Sequence, residues 1–188
     1  MAREPGRPNL ALSDFIAPVG VADYIGGFVV TAGLGEDKHI KKFEAAKDDY
    51  SAILLRALAD RLAEAFAERL HQRVRTDLWG YAGDERLSTE QLIAEAYRGI
   101  RPAPGYPACP DHTIKRAMFD VLQARDIGME LTESLAMMPA ASVSGFYLAH
   151  PQASYFNVGR IGRDQLQTWA DAQAIDTAQA QRALASVL

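Results

Sequence analysis

Several side chains that could take part in chemistry lie within twelve residues near the middle of the chain. Segment 101–112 reads Arg-Pro-Ala-Pro-Gly-Tyr-Pro-Ala-Cys-Pro-Asp-His and contains four prolines. Each proline fixes its own φ angle and restricts the residue before it, so a helix is excluded and a central strand is disfavoured. We therefore predict a stiff extended ribbon. The polar side chains that it would hold in place are Arg101, Tyr106, Cys109, Asp111 and His112.

Arg101 is the candidate for binding an anionic ligand. Its planar guanidinium can form two parallel hydrogen bonds to a carboxylate. For an arbitrary arginine, a solvated or structurally paired side chain is the far commoner role. Gly105 follows on the same ribbon, and its lack of a Cβ atom would let a ligand approach the backbone closely.

Cys109 and His112 suggest a metal site or a nucleophile, because two zinc ligands often have this spacing. A structural zinc site needs four ligands, however, and the chain has no second cysteine; its other histidines, His39, His71 and His150, are scattered. The sequence also lacks the Gly-x-Ser-x-Gly elbow of hydrolases and the Gly-x-Gly-x-x-Gly fingerprint. Metal binding or cysteine catalysis is thus a minor alternative.

The longest predicted element is a helix over residues 48–78. Large apolar residues recur in it at a spacing of four, which we interpret as one apolar face of a long helix. A polar row with the same spacing would lie on an adjacent stripe, and taken alone it is typical of a solvated acidic surface. The apolar row is Leu54, Leu58, Leu62, Phe66, Leu70, Val74 and Leu78, and the polar row is Asp60, Glu64, Glu68 and Gln72.

The rest of the chain alternates short helical and extended patterns. The order predicts an α+β fold in which helices pack around a mainly antiparallel, twisted sheet. Predicted strands cover 24–31, 129–135, 142–150 and 155–159, and the other predicted helices cover 36–47, 88–99, 111–127, 163–174 and 177–187.

Composition limits the class of protein. The chain has 188 residues, enough for one domain, and its net charge of −4 gives no general attraction to nucleic acid or to anionic membranes. No apolar run approaches the roughly 20 residues that cross a bilayer. A single cysteine and the absence of an export signal favour the cytoplasm. We expect residues 1–8 to be disordered and residues 9–188 to form the domain.

Several long segments, in the right order, resemble the activation domain of cobalamin-dependent methionine synthase, and the resemblance covers nearly the whole chain from about Asn9. It implies the same α+β fold. The family domain is longer at its N-terminus, where an acidic ligand of the bound cofactor lies, so we expect residues 9–188 to be an N-terminally truncated activation domain. The segments are 22–26, 57–65, 79–81, 99–112, 131–134, 141–145 and 150–156.

The resemblance also implies a function. Such a domain binds S-adenosylmethionine and supports the reductive remethylation of oxidised cobalamin, which a partner module holds while a flavodoxin-like protein supplies an electron. The whole enzyme transfers a methyl group from methyltetrahydrofolate to homocysteine, with zinc only in its homocysteine module. The fragment is not expected to be active alone. The alternative is a stand-alone binding module that docks on a separate cobalamin protein without catalysis of its own.

The resemblance further implies roles for particular residues. Arg101 would hold the ligand's carboxylate, and Glu64 would lie near its sulfonium. Tyr106 would face the corrin ring, and Asp60 would contact the cobalamin-carrying module. Neither a catalytic residue nor a metal ligand is expected. The full set implied for the cofactor site is Glu64, Arg101, Ala103, Gly105, Tyr106, Tyr155 and Phe156.

Overall fold

The computed structural model describes residues 9–188, so the predicted disordered segment 1–8 lies outside the described residues. Within these residues one strand is followed by four α-helices, three further strands and two further α-helices. The strands are β1 (Gly26–Thr31), β2 (Glu130–Leu131), β3 (Met137–Met138) and β4 (Ser142–Tyr147). The helices are α1 (Glu36–Ala45), α2 (Asp49–Arg73), α3 (Thr89–Ile93), α4 (Lys115–Val121), α5 (Arg163–Gln173) and α6 (Thr177–Ala183).

The strands form two small antiparallel sheets, β1 with β4 and β2 with β3. In the first sheet Gly26 lies opposite Tyr147 and Thr31 lies opposite Ser142. Phe28 and Val30 point into the core from alternate positions of β1, and the Phe28 ring stacks on Tyr147 at 4.8 Å. The predicted α+β class with antiparallel strands and surrounding helices is confirmed.

Helix α2 begins at an N-cap, since the Asp48 side chain accepts a hydrogen bond from the Ser51 backbone N–H at 3.0 Å. The helix packs on both β1 and β4. The face that it buries consists mainly of alanines, which let helix and sheet approach closely. The buried residues are Ala52, Ala59, Ala63, Ala67 and His71.

The apolar row predicted on α2 does not form its buried face. Leu54, Leu58, Leu62 and Phe66 are exposed by 43%, 52%, 62% and 49%. Each residue of a helix turns by about 100° around the axis, so four residues complete one full turn plus about 40°. A row at a spacing of four therefore shifts by about 40° at every step. The row therefore winds from the solvent side to the buried side, which it reaches at Val74.

A π-helical turn, Val74–Leu78, ends the long helix and aims Arg75 into the protein. The Arg75 side chain is fully buried, and its Nε and Nη2 both donate to the Glu85 carboxylate at 2.8 Å. Its guanidinium also lies 4.1 Å from the centre of the Tyr97 ring. The Arg75–Glu85 ion pair holds the loop that contains Glu85 against the C-terminal end of the long helix.

Four predicted elements are much shorter than expected or absent. The predicted helix 88–99 ends at Ile93, because Glu95 takes a left-handed conformation (φ 54°) and the Ala96 N–H closes a C-terminal turn on Gln91. The predicted helix 111–127 is reduced to α4 and a 3₁₀ turn, and the strand 129–135 to two residues. Segment 155–159 runs as an irregular segment rather than a strand, because it packs on the ribbon and Val158 donates to the Pro107 carbonyl.

Within residues 9–188, none of the helices combines the length and the apolar character needed to cross a membrane.

Candidate functional site

A cavity of about 260 Å³ lies between the proline ribbon, α2 and segment 155–159. Six of the seven residues expected at the cofactor site line it, although they come from three distant parts of the chain. Those six are Glu64, Arg101, Ala103, Tyr106, Tyr155 and Phe156, and the other lining residues are Phe28, Pro102, Pro107, Ala108 and Val143.

Only the start of the ribbon is extended as predicted, and it is attached to the end of β4. The segment then turns, with the Tyr106 N–H donating to the Ala103 carbonyl and the Cys109 N–H donating to the Tyr106 carbonyl, because proline and glycine also favour tight turns. Ile100 and Leu148 exchange two backbone hydrogen bonds of 3.0 Å, and Phe146 donates to the Pro102 carbonyl at 2.9 Å. A Cβ atom on Gly145 would lie 2.7 Å from that carbonyl oxygen, so only glycine allows this approach. Proline is tolerated here because the ribbon contributes its carbonyls at this position.

Gly105 lies at a tight turn of the ribbon and is the one expected site residue outside the cavity lining. Its backbone N–H donates to the Cys109 carbonyl at 2.7 Å, and its φ angle is +93°. A Cβ atom at this position would lie 2.1 Å from the His112 ring. The turn and the packing of His112 therefore account for the glycine, where the sequence suggested close approach of a ligand.

Three side chains surround the Arg101 guanidinium. Its Nη2 lies 2.5 Å from a carboxylate oxygen of Glu68. Its Nη1 donates to the Tyr97 hydroxyl at 2.7 Å and lies 3.4 Å from Nδ1 of His71. The backbone N–H of Arg101 donates to the Tyr155 hydroxyl at 3.0 Å. Both the main chain and the side chain of Arg101 are thus held at the cavity wall.

His71 is fully buried behind Arg101. Burial, helped by the nearby Arg75 and Arg101 charges, lowers the pKa of His71 to about 3, so the ring is neutral at physiological pH. A guanidinium can only donate, so Nδ1 must be the acceptor and the proton must lie on Nε2, which faces the Tyr81 hydroxyl at 3.4 Å. His71 is therefore a neutral acceptor that supports Arg101.

The carboxylates of α2 face two different surfaces. Glu64 lines the cavity beside Arg101, whereas Asp60 lies on a separate cleft of about 510 Å³ with Glu36 and Arg56. Burial, with Asp37 and Asp60 nearby, raises the pKa of Glu36 in that cleft. The separation follows from the same rotation of about 40° per four residues that displaces the leucine row.

Sequence analysis assigned no site role to three residues around Arg101. Tyr97 lies four positions before it, and Glu68 and His71 follow Glu64 by four and seven positions on α2. The spacing of Glu64, Glu68 and His71 corresponds to one side of a helix and could have drawn attention to them. Only the packing of α2 on the ribbon brings them to the guanidinium.

The alternative based on Cys109 gains no support from its surroundings. Burial, with a smaller effect of Asp111, raises the pKa of the Cys109 thiol to about 11, which opposes formation of a nucleophilic thiolate. The Asp111 carboxylate accepts hydrogen bonds from the backbone and hydroxyl of Thr113. In the described part of the chain, histidine, cysteine, aspartate and glutamate nowhere form a group of three that could hold a metal ion.

Comparison with known proteins places this geometry in a family. Residues 1–174 match the model of the vitamin B12-dependent methionine synthase activation domain. The fold also matches a crystal structure of the MetH reactivation domain bound to AdoHcy, with a TM-score of 0.94 and 53% sequence identity. The match covers 98% of this chain and 58% of that one, so this chain spans a little over half of the solved chain. The chain therefore belongs to the family of vitamin B12-dependent methionine synthase activation domains.

Proposed function

We propose that this domain binds S-adenosylmethionine in the cavity beside Arg101 and offers its methyl group for the reductive remethylation of cobalamin. The observation that carries the proposal is that Glu64, Arg101, Tyr106 and Tyr155 converge on one cavity from separate segments. The related MetH reactivation domain, 53% identical, was solved with AdoHcy, the demethylated form of this ligand.

The lining of the cavity fits such a ligand chemically. Arg101 can receive a carboxylate, and Glu64 supplies a negative charge for the ammonium or sulfonium group. Phe28, Val143 and Phe156 provide apolar and aromatic surface for the nucleoside part. The volume of about 260 Å³ is slightly below the roughly 300–1,000 Å³ of typical ligand sites, so part of the ligand would extend past the rim.

The domain's own contribution would be to position the ligand. Bound S-adenosylmethionine supplies an electrophilic methyl group on a cationic sulfur. Arg101 and the backbone of Ala103 would anchor the amino-acid end, and Tyr155 and Phe156 would hold the adenosyl end. Tyr106, which is 61% exposed, would lie between the ligand and the docked partner and exclude water there. Holding the two reactants in line is sufficient, and no general base is required.

Cobalamin would be carried by a partner module that docks over the open rim, and a flavodoxin-like protein would supply the electron. In the whole enzyme this reactivation serves methyl transfer from methyltetrahydrofolate to homocysteine, and zinc would be confined to the homocysteine module. Membership of the activation-domain family favours this assignment over a module that merely docks on a separate cobalamin protein. The domain alone would bind ligand without turnover.

Calorimetric titration with S-adenosylmethionine tests the proposal. Arg101→Ala should abolish detectable binding, and Arg101→Lys should restore only part of it, because lysine keeps the charge but not the planar fork. Loss of a charge-assisted hydrogen bond costs about 1.5–3 kcal/mol, or roughly tenfold or more in affinity.

Arg73→Ala is the matched control, since Arg73 forms an exposed ion pair with Asp77 at the C-terminal end of α2. It should bind like the wild type. Binding that survives Arg101→Ala, or lysine performing as well as arginine, would contradict the proposed role.

A further inference from the structure

We infer that Glu68 is the positioning residue of Arg101: it holds the guanidinium from behind the cavity wall so that the free N–H groups face the ligand's carboxylate. The inference rests on the proposed function, because it concerns the same site. Glu68 does not line the cavity, yet its carboxylate lies 2.5 Å from Nη2 of Arg101. It therefore acts on Arg101 rather than on a ligand.

The contacts of Arg101 divide its donors into two sets. Nη1 is occupied by Tyr97 and His71, and one hydrogen of Nη2 is occupied by Glu68. Nε makes no hydrogen bond to any residue in the range 9–188, and Nη2 has a second hydrogen. Nε–H and Nη2–H are the pair that binds a carboxylate side-on, as Arg75 does with Glu85.

Charge explains why a carboxylate is needed in this position. Arg75 and Arg101 both lie against the Tyr97 ring, with guanidinium carbons 4.1 and 6.0 Å from its centre. Two cations sharing one ring repel each other unless each is neutralised. Glu85 neutralises Arg75 and Glu68 neutralises Arg101. Without Glu68, Arg101 would be pushed away from Tyr97 and His71, and its free edge would lose its orientation.

The way Glu68 binds suggests an informative variant. Only its Oε2 contacts Arg101, and Oε1 is buried without a hydrogen-bond partner among the described residues. Glutamine can place its amide oxygen where Oε2 lies and so keep the contact, whereas alanine removes it. Glutamine leaves the charge of Arg101 unneutralised, so it keeps the hydrogen bond but not the compensation of the repulsion from Arg75.

The test compares two ligands by calorimetry: S-adenosylhomocysteine, which has a carboxylate, and 5′-methylthioadenosine, which has none. Glu68→Ala should weaken S-adenosylhomocysteine binding about tenfold and leave 5′-methylthioadenosine within about twofold. Glu68→Gln, which keeps the hydrogen bond, should weaken S-adenosylhomocysteine binding less than Glu68→Ala does and should also leave 5′-methylthioadenosine within about twofold. In an Arg101→Ala background, Glu68→Ala should leave the affinity for 5′-methylthioadenosine unchanged. Asp77→Ala, which removes the carboxylate of the exposed Arg73 pair, is the control and should change neither affinity.

Equal losses for both ligands, or no loss for either, would overturn the role of Glu68 while leaving the proposed function standing. A Glu68→Gln protein as weak as the alanine variant would also overturn it. Wild-type protein that binds neither ligand would overturn the proposed function, and the role of Glu68 with it.

Discussion

Burial and ion pairing together decide which side chains around Arg101 are neutral and which are charged. His71 is fully enclosed and therefore neutral, with its ring stacked 5.2 Å from Tyr147. Arg75 is equally buried and stays charged because Glu85 accepts from it twice. A neutral acceptor and a compensated cation in the core leave Arg101 as the cation on the cavity wall. This arrangement gives the site one strong receptor for a carboxylate.

The lowered pKa of His71 makes stability depend on pH in a defined direction. The pKa is about 3 in the folded protein and about 6.5 in the unfolded chain, so protons bind preferentially to the unfolded state. The contribution of His71 to the free energy of unfolding should therefore be fully present above pH 6.5, and it should be lost as the pH falls from there towards 3. Between pH 7.5 and 5.0, His71 alone should account for a loss of about 2 kcal/mol.

Urea unfolding at the two pH values measures this loss. His71→Gln should remove most of the pH-dependent difference, although it lowers stability at both pH values. His39→Gln, a substitution at an exposed position of α1, should leave the difference intact. An unchanged pH dependence in the His71→Gln variant would show that the His71 ring of the wild-type protein is accessible to protons in the folded state.

At the scale of elements, α2 organises the molecule through an alanine face. Ala59, Ala63 and Ala67 lie at 5%, 1% and 1% exposure. Small side chains bring the helix axis close to the β1–β4 sheet, and this closeness lets His71 and Glu68 reach Arg101. The large apolar residues of the same helix contribute little to this interface.

Substitutions at the adjacent positions 62 and 63 should therefore change stability in the reverse order to the one that hydrophobicity suggests. Ala63→Leu forces added volume into the helix–sheet contact and should destabilise the protein by about 1–3 kcal/mol. Leu62→Gln removes a side chain that is 62% exposed and should change stability by no more than about 0.5 kcal/mol. The midpoints of urea unfolding curves for the two variants provide the comparison. A larger loss of stability for Leu62→Gln than for Ala63→Leu would indicate that the leucine row is buried after all.

At the scale of the whole molecule, α2 contributes carboxylates to two separate surfaces. Its Glu64 belongs to the proposed ligand cavity, and its Asp60 belongs to the cleft formed with α1. The two carboxylates are one helical turn apart, yet they serve different neighbours. We propose that the cobalamin module docks over the rim of the ligand cavity and reaches the Asp60 cleft, so that Glu64 serves ligand binding and Asp60 serves docking.

Asp60→Asn tests this separation. Affinity for S-adenosylmethionine should stay within about twofold, because Asp60 lies outside the ligand cavity. Reactivation in the presence of the cobalamin module should slow, because asparagine keeps the shape but loses the charge offered to the partner. The defect should shrink as salt is raised, because the Debye length, about 8 Å at 0.15 M ionic strength, becomes shorter and weakens the attraction between the charges. Asp49→Asn removes a charge at the start of α2 and is the matched control.

Affinity and reactivation rate measured on the same Asp60→Asn protein separate the outcomes. A large loss of ligand affinity would move Asp60 into the cavity. An unchanged reactivation rate would make it an ordinary solvated carboxylate.

The sequence by itself determined the features that depend on local chemistry and on long matching motifs. The proline ribbon, the strand at Gly26–Thr31, the helix from Asp49 and the family all follow from residues close together in the chain. Six of the seven site residues that the family resemblance implied also line one cavity, because matching motifs identify equivalent positions.

Only the tertiary structure decided which faces are buried and which side chains meet. A row at a spacing of four drifts around the helix, so the sequence could not show that alanines rather than leucines face the sheet. Whether residues 155–159 pair as a strand depended on a neighbour, and the ribbon took that place. Glu68, His71 and Tyr97 reach Arg101 through contacts spanning four to 33 positions, and such contacts exist only once α2 has packed.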